Sequence, residues 1–383
     1  MSTSPDLGDY VASYSGLVFL ATASIYAGSV ASLPNPKTKE DGSNDYDYDD
    51  NEPLIQEKIR LEDAYWFPIL GSAVLLSLYL IIKYISIWWI NTILQLYFSV
   101  ITIGATWRAL VNFARTCIGP SRYRALSRLT LTLHHNQESI LQLHYPTFTL
   151  VFIPLALYPP AVYLFFPGIM SQQHTLLMNI MALSLTHTAL ASIKLDSVFT
   201  GVILLSGLFL YDIWWVFGSK PVFGSSVMVT VAQGLDAPIK ILLPKSKLLQ
   251  GNQYTMLGLG DIVVPGMFIA LALRYDLHRS SHQDFRQPFA KPFFVTTLVS
   301  YILAMILTIV VMHTFEAAQP ALLYLRQVPN ELWFLSHTHR ERSSPACISA
   351  FLAVGWYQGV WNDMWTYSEI SDSQEQEKKE KKD

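Results

Sequence analysis

The sequence predicts an all-α, polytopic membrane protein with about nine transmembrane helices, and two observations support this fold class. About half of the 383 residues are hydrophobic (51%) and only 14% are charged, compared with roughly 25% charged residues in soluble domains. The apolar residues also lie in long blocks, and a helix needs about 20 mostly apolar residues to cross a bilayer. Such a composition excludes a disordered chain and an ordinary soluble protein.

Eight apolar blocks follow one another along the chain, each long enough for one span. They are Val11–Leu33, the two halves of Trp66–Trp107 divided near Lys83–Asn91, Phe148–Phe166, Thr175–Ile193, Val198–Phe217, Tyr254–Leu273 and Phe293–Met312. A ninth block begins near Phe315 and is interrupted. Asp6 and Asp9 precede the first block without any Lys or Arg, so it lacks the basic region of a signal peptide and we interpret it as a retained span.

The distribution of basic residues predicts the orientation, because cytosolic loops carry an excess of Lys and Arg. Eighteen lie on one side of the predicted membrane: Lys37, Lys39, Lys58, Arg60, Arg108, Arg115, Arg122, Arg124, Arg128, Lys194, Arg274, Arg279, Arg286, Lys291, Lys378, Lys379, Lys381 and Lys382. Five lie on the other side: Lys83, Lys220, Lys240, Lys245 and Lys247. We therefore expect a lumenal or extracellular N-terminus and a cytosolic C-terminus.

Charge, cysteine and histidine content exclude several kinds of site. The 26 Lys and Arg residues balance 29 Asp and Glu residues, and no basic block lies on an exposed helix, so we expect no nucleic-acid partner. Two cysteines, Cys117 and Cys347, cannot build a disulfide scaffold or a Cys-rich zinc site. His134, His135 and His144 form no His-Glu-x-x-His motif. The sequence therefore predicts neither a metal nor a cofactor.

Two carboxylates, Asp212 and Asp261, lie inside apolar blocks with no cation nearby in sequence. A charge in the hydrocarbon layer is costly and marks a functional site. Asp212 lies five residues before the end of its block and Asp261 seven residues after the start of the next. At 1.5 Å per helical residue, these positions are about 7.5 and 10 Å below the same membrane face. Consecutive spans are antiparallel, so the two carboxylates can face each other.

Two facing carboxylates in a low-dielectric site cannot easily both ionise, so we expect them to share one proton. Such a pair suits peptide hydrolysis, because the ionised member can take a proton from water while the protonated member polarises the scissile carbonyl. A proton or cation relay in a transporter uses intramembrane carboxylates as well. The two aspartates alone leave both interpretations open.

Two further elements accompany the aspartates, a pair of glycines and a segment that contains a proline. Gly258 and Gly260 lack side chains, which allows either close approach of another backbone or tight helix packing. In Gln319-Pro320-Ala321-Leu322, the proline removes a backbone donor. The carbonyl groups that it leaves unpaired could bind an extended peptide, although a proline also commonly begins a helix.

In combination, these residues resemble the motifs of a known family. Tyr211-Asp212, Gly258–Asp261 and Pro320–Leu322 resemble the YD, GxGD and PAL motifs of the presenilin-type intramembrane aspartyl proteases. Their surroundings, over about residues 199–325, are similar to the signal peptide peptidase branch. The resemblance implies nine spans with a lumenal N-terminus, and it makes Asp212 and Asp261 the catalytic pair. Tyr211, Gly258, Gly260, Gln319, Pro320, Ala321 and Leu322 would then bind substrate or shape the site.

The resemblance also implies an activity and a location. The family cleaves leftover signal peptides and some type II or tail-anchored proteins within the endoplasmic reticulum membrane. Lys379 and Lys381, near the end of the tail, resemble a dilysine retrieval signal. Besides these transmembrane substrates, the partners that we consider are membrane lipid, the membrane-protein degradation machinery and a second copy of the chain. No metal, cofactor or nucleic acid is implied.

The resemblance predicts four parts of the chain. Residues 1–65 hold the first span and an acidic cytosolic linker, and residues 66–193 hold spans two to five. Residues 194–361 form the catalytic membrane region with spans six to nine, and residues 362–383 form a charged cytosolic tail.

One segment, Arg326–Ser344, departs from the family pattern. In the family, the PAL stretch continues almost directly into the segment that here begins at Pro345. The 19 intervening residues carry Arg326, Glu331, Arg340, Glu341 and Arg342, and such a segment cannot lie in lipid. It is either a loop that ends the ninth span early and displaces Pro345–Trp361, or a translated intron of 57 nucleotides, which we favour. A genuine loop would strengthen the alternative function, a scaffold or chaperone that binds transmembrane segments without cutting them.

Overall fold

A computed structural model describes residues 7–33, 57–84, 87–118, 128–135, 138–166, 171–224, 227–235, 237–244, 254–280, 289–314 and 343–369. The described chain is mainly helical. Its helices are α1 (Leu7–Ala31), α2 (Leu61–Tyr84), α3 (Ile87–Ile118), α4 (Phe152–Phe165), α5 (Ser171–Ser192), α6 (Val198–Ile213), α7 (Ser219–Phe223), α8 (Val227–Gly234), α9 (Gly260–Arg279), α10 (Pro292–Thr314), α11 (Ser343–Tyr357) and α12 (Trp361–Thr366). A 3₁₀ helix (Thr147–Val151) precedes α4, and a π-helical turn (Trp214–Gly218) joins α6 to α7.

Seven helical stretches in the described part of the chain are long and apolar enough to cross a membrane. They are Tyr10–Ala31, Leu61–Tyr84, Ile87–Ile118, Thr147–Phe165, Gln173–Ser192, Val198–Phe223 and Pro292–Val310. Each coincides with one of the predicted blocks, which confirms the polytopic helical fold class. The remaining predicted block overlaps α9, while α11 contains a shorter apolar stretch, Pro345–Tyr357. The start of the ninth block near Phe315 lies outside the described residues.

Within the described ranges, three pairs of strands join the helices. Strand β1 (Glu57–Ile59) is parallel to β4 (Ile193–Leu195). Strands β2 (Arg128–His135) and β3 (Glu138–Pro146) form an antiparallel pair, as do β5 (Lys240–Pro244) and β6 (Tyr254–Gly258). The prediction of a helix from Tyr254 onward is therefore wrong for its first five residues. A short apolar run has no periodicity that separates a strand from a buried helix, and here the run pairs with the equally apolar β5.

Helix α9 is the centre of the fold. Its side chains from Pro265 to Leu277, together with Ile262, are buried. Helices α1, α5, α6, α10 and α11 all pack against it. A helix that is buried on every side belongs to the core of a bundle. Helix α9 is therefore the core helix of this bundle, although it is less apolar than its neighbours.

The final described residues fix the relative direction of α6 and α9. Buried Arg274, near the end of α9, forms an ion pair with Glu369. The backbone N–H of Glu369 donates to the carbonyl of Asp196, which lies just before α6, over 3.0 Å. The Ser368 hydroxyl donates to the Asp196 carboxylate, also over 3.0 Å. The end of α9 therefore lies beside the beginning of α6.

Candidate active site

The two predicted catalytic residues lie on helices that contact each other. Asp212 is in the last turn of α6 and Asp261 is in the first turn of α9, and both are half-buried. The contact is close at Gly201, where a Cβ atom would lie 2.7 Å from Cδ2 of the Phe268 ring. Only a glycine allows α6 to approach the α9 ring at this distance.

The antiparallel packing brings both carboxylates to the same end of this helix pair. Asp212 lies 11 residues beyond Gly201 along α6, and Asp261 lies seven residues before Phe268 along α9. At 1.5 Å per residue, these intervals correspond to about 16 and 10 Å in the same direction from the contact. The two acids therefore lie within about 6 Å in height.

The residues before Asp261 form strand β6. The prediction that they form the first two turns of a helix is therefore wrong. The ladder between β5 and β6 continues one pair further, because the N–H of Leu259 donates to the carbonyl of Ile239 over 2.9 Å. The carbonyl of Leu259 in turn accepts the N–H of Val263 over 2.8 Å. Leu259 thus belongs to both the hairpin and α9, and it fixes the position of Asp261 two residues later.

The glycines of the predicted GxGD element have different surroundings. A Cβ atom on Gly258 would lie 3.6 Å from Oδ2 of Asp261, so the last residue of β6 faces the carboxylate. A Cβ atom on Gly260 would meet no atom of the described residues within 4 Å. Among the described residues, neither glycine therefore packs tightly against a neighbouring helix.

Tyr211 contacts α2. Its ring lies over Gly71, where a Cβ atom would be 3.6 Å from the ring. Its centroid is 6.4 Å from that of Trp215, whose indole N–H donates to the Ser72 hydroxyl over 2.9 Å. Tyr211 and Trp215 thus fasten the end of α6 to α2, directly beside Asp212.

Sequence reasoning missed a residue that holds the hairpin, Asn179 of α5. Its side-chain Nδ2 donates to the carbonyl of Leu242 over 2.6 Å, and its Oδ1 accepts the N–H of the same residue over 2.8 Å. At the end of β5, the Ser13 hydroxyl of α1 donates to the carbonyl of Pro244. An uncharged polar residue in an apolar helix gave no signal, because its partner is a backbone group 63 residues away.

Other predicted elements lie outside the described residues. These are the Gln319, Pro320, Ala321 and Leu322 positions, most of the Arg326–Ser344 segment and the lysines of the tail. Helix α11, which follows this segment, packs against α10 and α6 and buries Cys347. Whether the 19-residue segment is a loop or a translated intron stays a prediction.

Comparison with known proteins agrees with the motifs. The sequence model of the signal peptide peptidase family matches residues 51–371. The chain is 33% identical to the signal peptide peptidase of Homo sapiens over 361 residues, covering 93% of this chain and 83% of the human protein. It is 32% identical to a probable intramembrane protease of Schizosaccharomyces pombe over 331 residues, covering 86% of this chain and 91% of the yeast protein.

The fold and these matches define a polytopic membrane peptidase that acts by intramembrane proteolysis. The chain belongs to the signal peptide peptidase family. The family resemblance predicted from the three motifs is thereby confirmed.

Proposed function

We propose that the chain is an aspartyl endopeptidase in which Asp212 and Asp261 share one proton and activate the attacking water. The observation that supports this proposal is the placement of two acids at the same end of the α6–α9 pair, each on a helix of the bundle. The ionised carboxylate would take a proton from water. The protonated one would donate a hydrogen bond to the scissile carbonyl oxygen.

The hairpin supplies a means of holding the substrate in an extended form. A helical substrate hides its carbonyl groups in its own hydrogen bonds and must unwind before it can be cut. In an antiparallel ladder, residues alternate between pointing their N–H and C=O groups towards the partner strand and away from it. The backbone N–H and C=O of Leu242 point away from β6 and bind Asn179. Met256 is the cross-strand partner of Leu242, so its N–H and C=O point away from β5, at the outer edge of β6.

This outer edge of β6 carries no third strand in the part of the chain that the structure describes. An extended substrate that added to it would pair with Met256 and Gly258. Because Gly258 faces the Asp261 carboxylate, a scissile bond a few residues along such a strand would come to lie beside the catalytic pair. The space that the described residues leave open at Gly260 would admit the backbone of that substrate.

The proposed substrates are leftover signal peptides and transmembrane segments of type II or tail-anchored proteins. We place the chain in the endoplasmic reticulum membrane with a lumenal N-terminus and a cytosolic C-terminus. The support is the distribution of 18 and five basic residues on the two sides and the dilysine-like tail. The relatives named signal peptide peptidase are consistent with such substrates.

The deciding experiment is cleavage of a labelled signal peptide by the purified full-length protein in proteoliposomes. Asp212→Ala and Asp261→Ala should each abolish cleavage while the protein stays folded. Asp363→Asn, which changes an exposed carboxylate in α12, is the matched control and should cleave like the wild type. Retained cleavage in either alanine variant would refute the catalytic assignment.

The same assay separates the alternative function. A wild-type protein that binds the labelled segment without cutting it, and binds equally well after Asp212→Asn, would be a scaffold or chaperone. An enzyme should instead bind an aspartyl protease inhibitor that mimics the transition state and should lose this binding in Asp212→Asn.

A further inference from the structure

A proline deprives the Asp261 peptide group of its usual hydrogen bond. In an α-helix, the carbonyl of residue i accepts the N–H of residue i+4. For Asp261 that residue is Pro265, which has no N–H. Helix α9 nevertheless begins at Gly260 and continues through the proline to Arg279. The carbonyl of the same residue that carries the proposed catalytic carboxyl group therefore needs another donor.

Tyr301 of α10 supplies that donor. Its hydroxyl donates to the backbone carbonyl of Asp261 over 3.3 Å. The tyrosine is fully buried in the core, where α10 packs along α9. A hydroxyl in such a place is costly without a partner, and so is an unpaired carbonyl, so the bond satisfies both groups at once.

We propose that Tyr301 is a positioning residue that substitutes for the missing N–H of Pro265 and thereby orients Asp261. This inference rests on the proposed catalytic role of Asp261. The first turn of α9 is held on one side by Leu259, whose carbonyl accepts the N–H groups of Ile262 and Val263 over 3.1 and 2.8 Å. The Tyr301 hydroxyl holds it on the other side. Loss of that bond removes one of the contacts that hold the peptide group of Asp261, so this group can shift and its carboxyl group moves with it.

The fitting test is Tyr301→Phe, which removes the hydroxyl and keeps the ring. A displacement of about 1 Å at a reacting group costs on the order of 100-fold in rate. We therefore expect kcat to fall by about 10- to 100-fold, while KM changes by less than about twofold because the strand edge of β6 is unaltered.

Tyr275→Phe is the matched control for this substitution. Tyr275 lies in α9, is equally buried, and its hydroxyl has no hydrogen-bond partner within the described ranges. Its removal deletes the same atom from the same core and should leave kcat and KM within about twofold of the wild-type values. Equal losses in the two variants would show a general effect of the core and would overturn the positioning role.

A rescue variant makes the test independent of folding losses. Pro265→Ala restores the backbone N–H of residue 265, which is the usual helical donor to the Asp261 carbonyl. Pro265→Ala combined with Tyr301→Phe should therefore recover most of the lost kcat. A double variant no more active than Tyr301→Phe alone would contradict the proposal. If Pro265→Ala itself does not fold, the comparison of Tyr301→Phe with Tyr275→Phe still decides.

Failure of this inference is distinguishable from failure of the proposed function. If Asp261→Ala still cleaves, the catalytic assignment itself is wrong. If Asp261→Ala is inactive while Tyr301→Phe has the wild-type kcat, only the positioning role is overturned.

Discussion

The side-chain amide of Asn179 pairs with both backbone groups of Leu242, so that one residue of α5 acts as a short third strand beside β5. This contact closes one edge of the hairpin that leads into the GxGD element. The other edge, along β6, is the one that ends beside the Asp261 carboxylate. Among the described residues, α5 thus covers the β5 edge, while the β6 edge has no strand beside it.

Removal of this amide should loosen the hairpin. We expect Asn179→Ala to lower the free energy of unfolding by about 1 to 3 kcal/mol, because it leaves the N–H and C=O of half-buried Leu242 without this partner. Cleavage should become slower and should spread over neighbouring peptide bonds of the substrate, which mass spectrometry of the products would show. Ser184→Ala, at a similarly buried polar position of α5, is the control. A sharp wild-type cleavage pattern in Asn179→Ala would contradict this role.

The outward edge of β6 can be tested at a single backbone donor. Met256 is about half exposed (51%), and its N–H points away from β5. Met256→Pro removes that N–H without breaking a bond to β5, and proline is tolerated at a sheet edge. We expect KM for the labelled signal peptide to rise several-fold, whereas Met256→Ala, which keeps the N–H, should have the wild-type KM. An unchanged KM in the proline variant would argue against strand addition.

Most of the membrane-spanning helices were predictable because a 20-residue apolar run has one main explanation. The two acids were predictable for a related reason, since a charge inside such a run is expensive and requires a role. Both signals are local in the sequence. The placement of Asp212 and Asp261 at the same end of an antiparallel helix pair was predictable from the alternation of consecutive spans, although the helical path assumed for Asp261 was wrong.

The supporting contacts were not predictable, because they join uncharged side chains to distant backbone groups. Asn179 reaches a carbonyl 63 residues away, and Tyr301 reaches one 40 residues away. Nothing in the local pattern around either residue distinguishes it from ordinary packing. The strand before Asp261 was missed because hydropathy alone does not separate β6 from the start of a helix.

Close packing at Gly201 should control the approach of α6 to α9. A methyl group there would lie 2.7 Å from the buried Phe268 ring and 3.3 Å from the Leu195 side chain. We expect Gly201→Ala to cost about 1 to 3 kcal/mol of stability and to reduce cleavage, because it pushes the two acidic helices apart.

The control for this substitution is Gly104→Ala in α3. A Cβ atom on Gly104 meets no described atom within 4 Å, and alanine favours a helix by up to about 1 kcal/mol over glycine. Thermal denaturation in detergent and the cleavage assay measure both variants. If Gly201→Ala behaves like Gly104→Ala, the helices do not depend on this contact.

Stability should change with pH through Asp276, in the polar last turns of α9. Its carboxylate caps the start of α10, accepting the N–H of Phe294 over 2.8 Å and that of Phe293 over 3.3 Å. Burial raises the pKa of Asp276 from 3.8 to about 6, although these two N–H groups and the charges of Arg279 and Lys291 act in the opposite direction.

Because the folded state holds this proton more tightly than the unfolded state, the contribution of Asp276 is complete below about pH 4 and is lost as the pH rises through about 6. Asn at this position does not titrate. The free energy of unfolding of the wild type, measured relative to Asp276→Asn in detergent, should therefore fall by about 2 kcal/mol between pH 4 and pH 7. A difference that is constant or rises over this range would show that Asp276 is already ionised at pH 4.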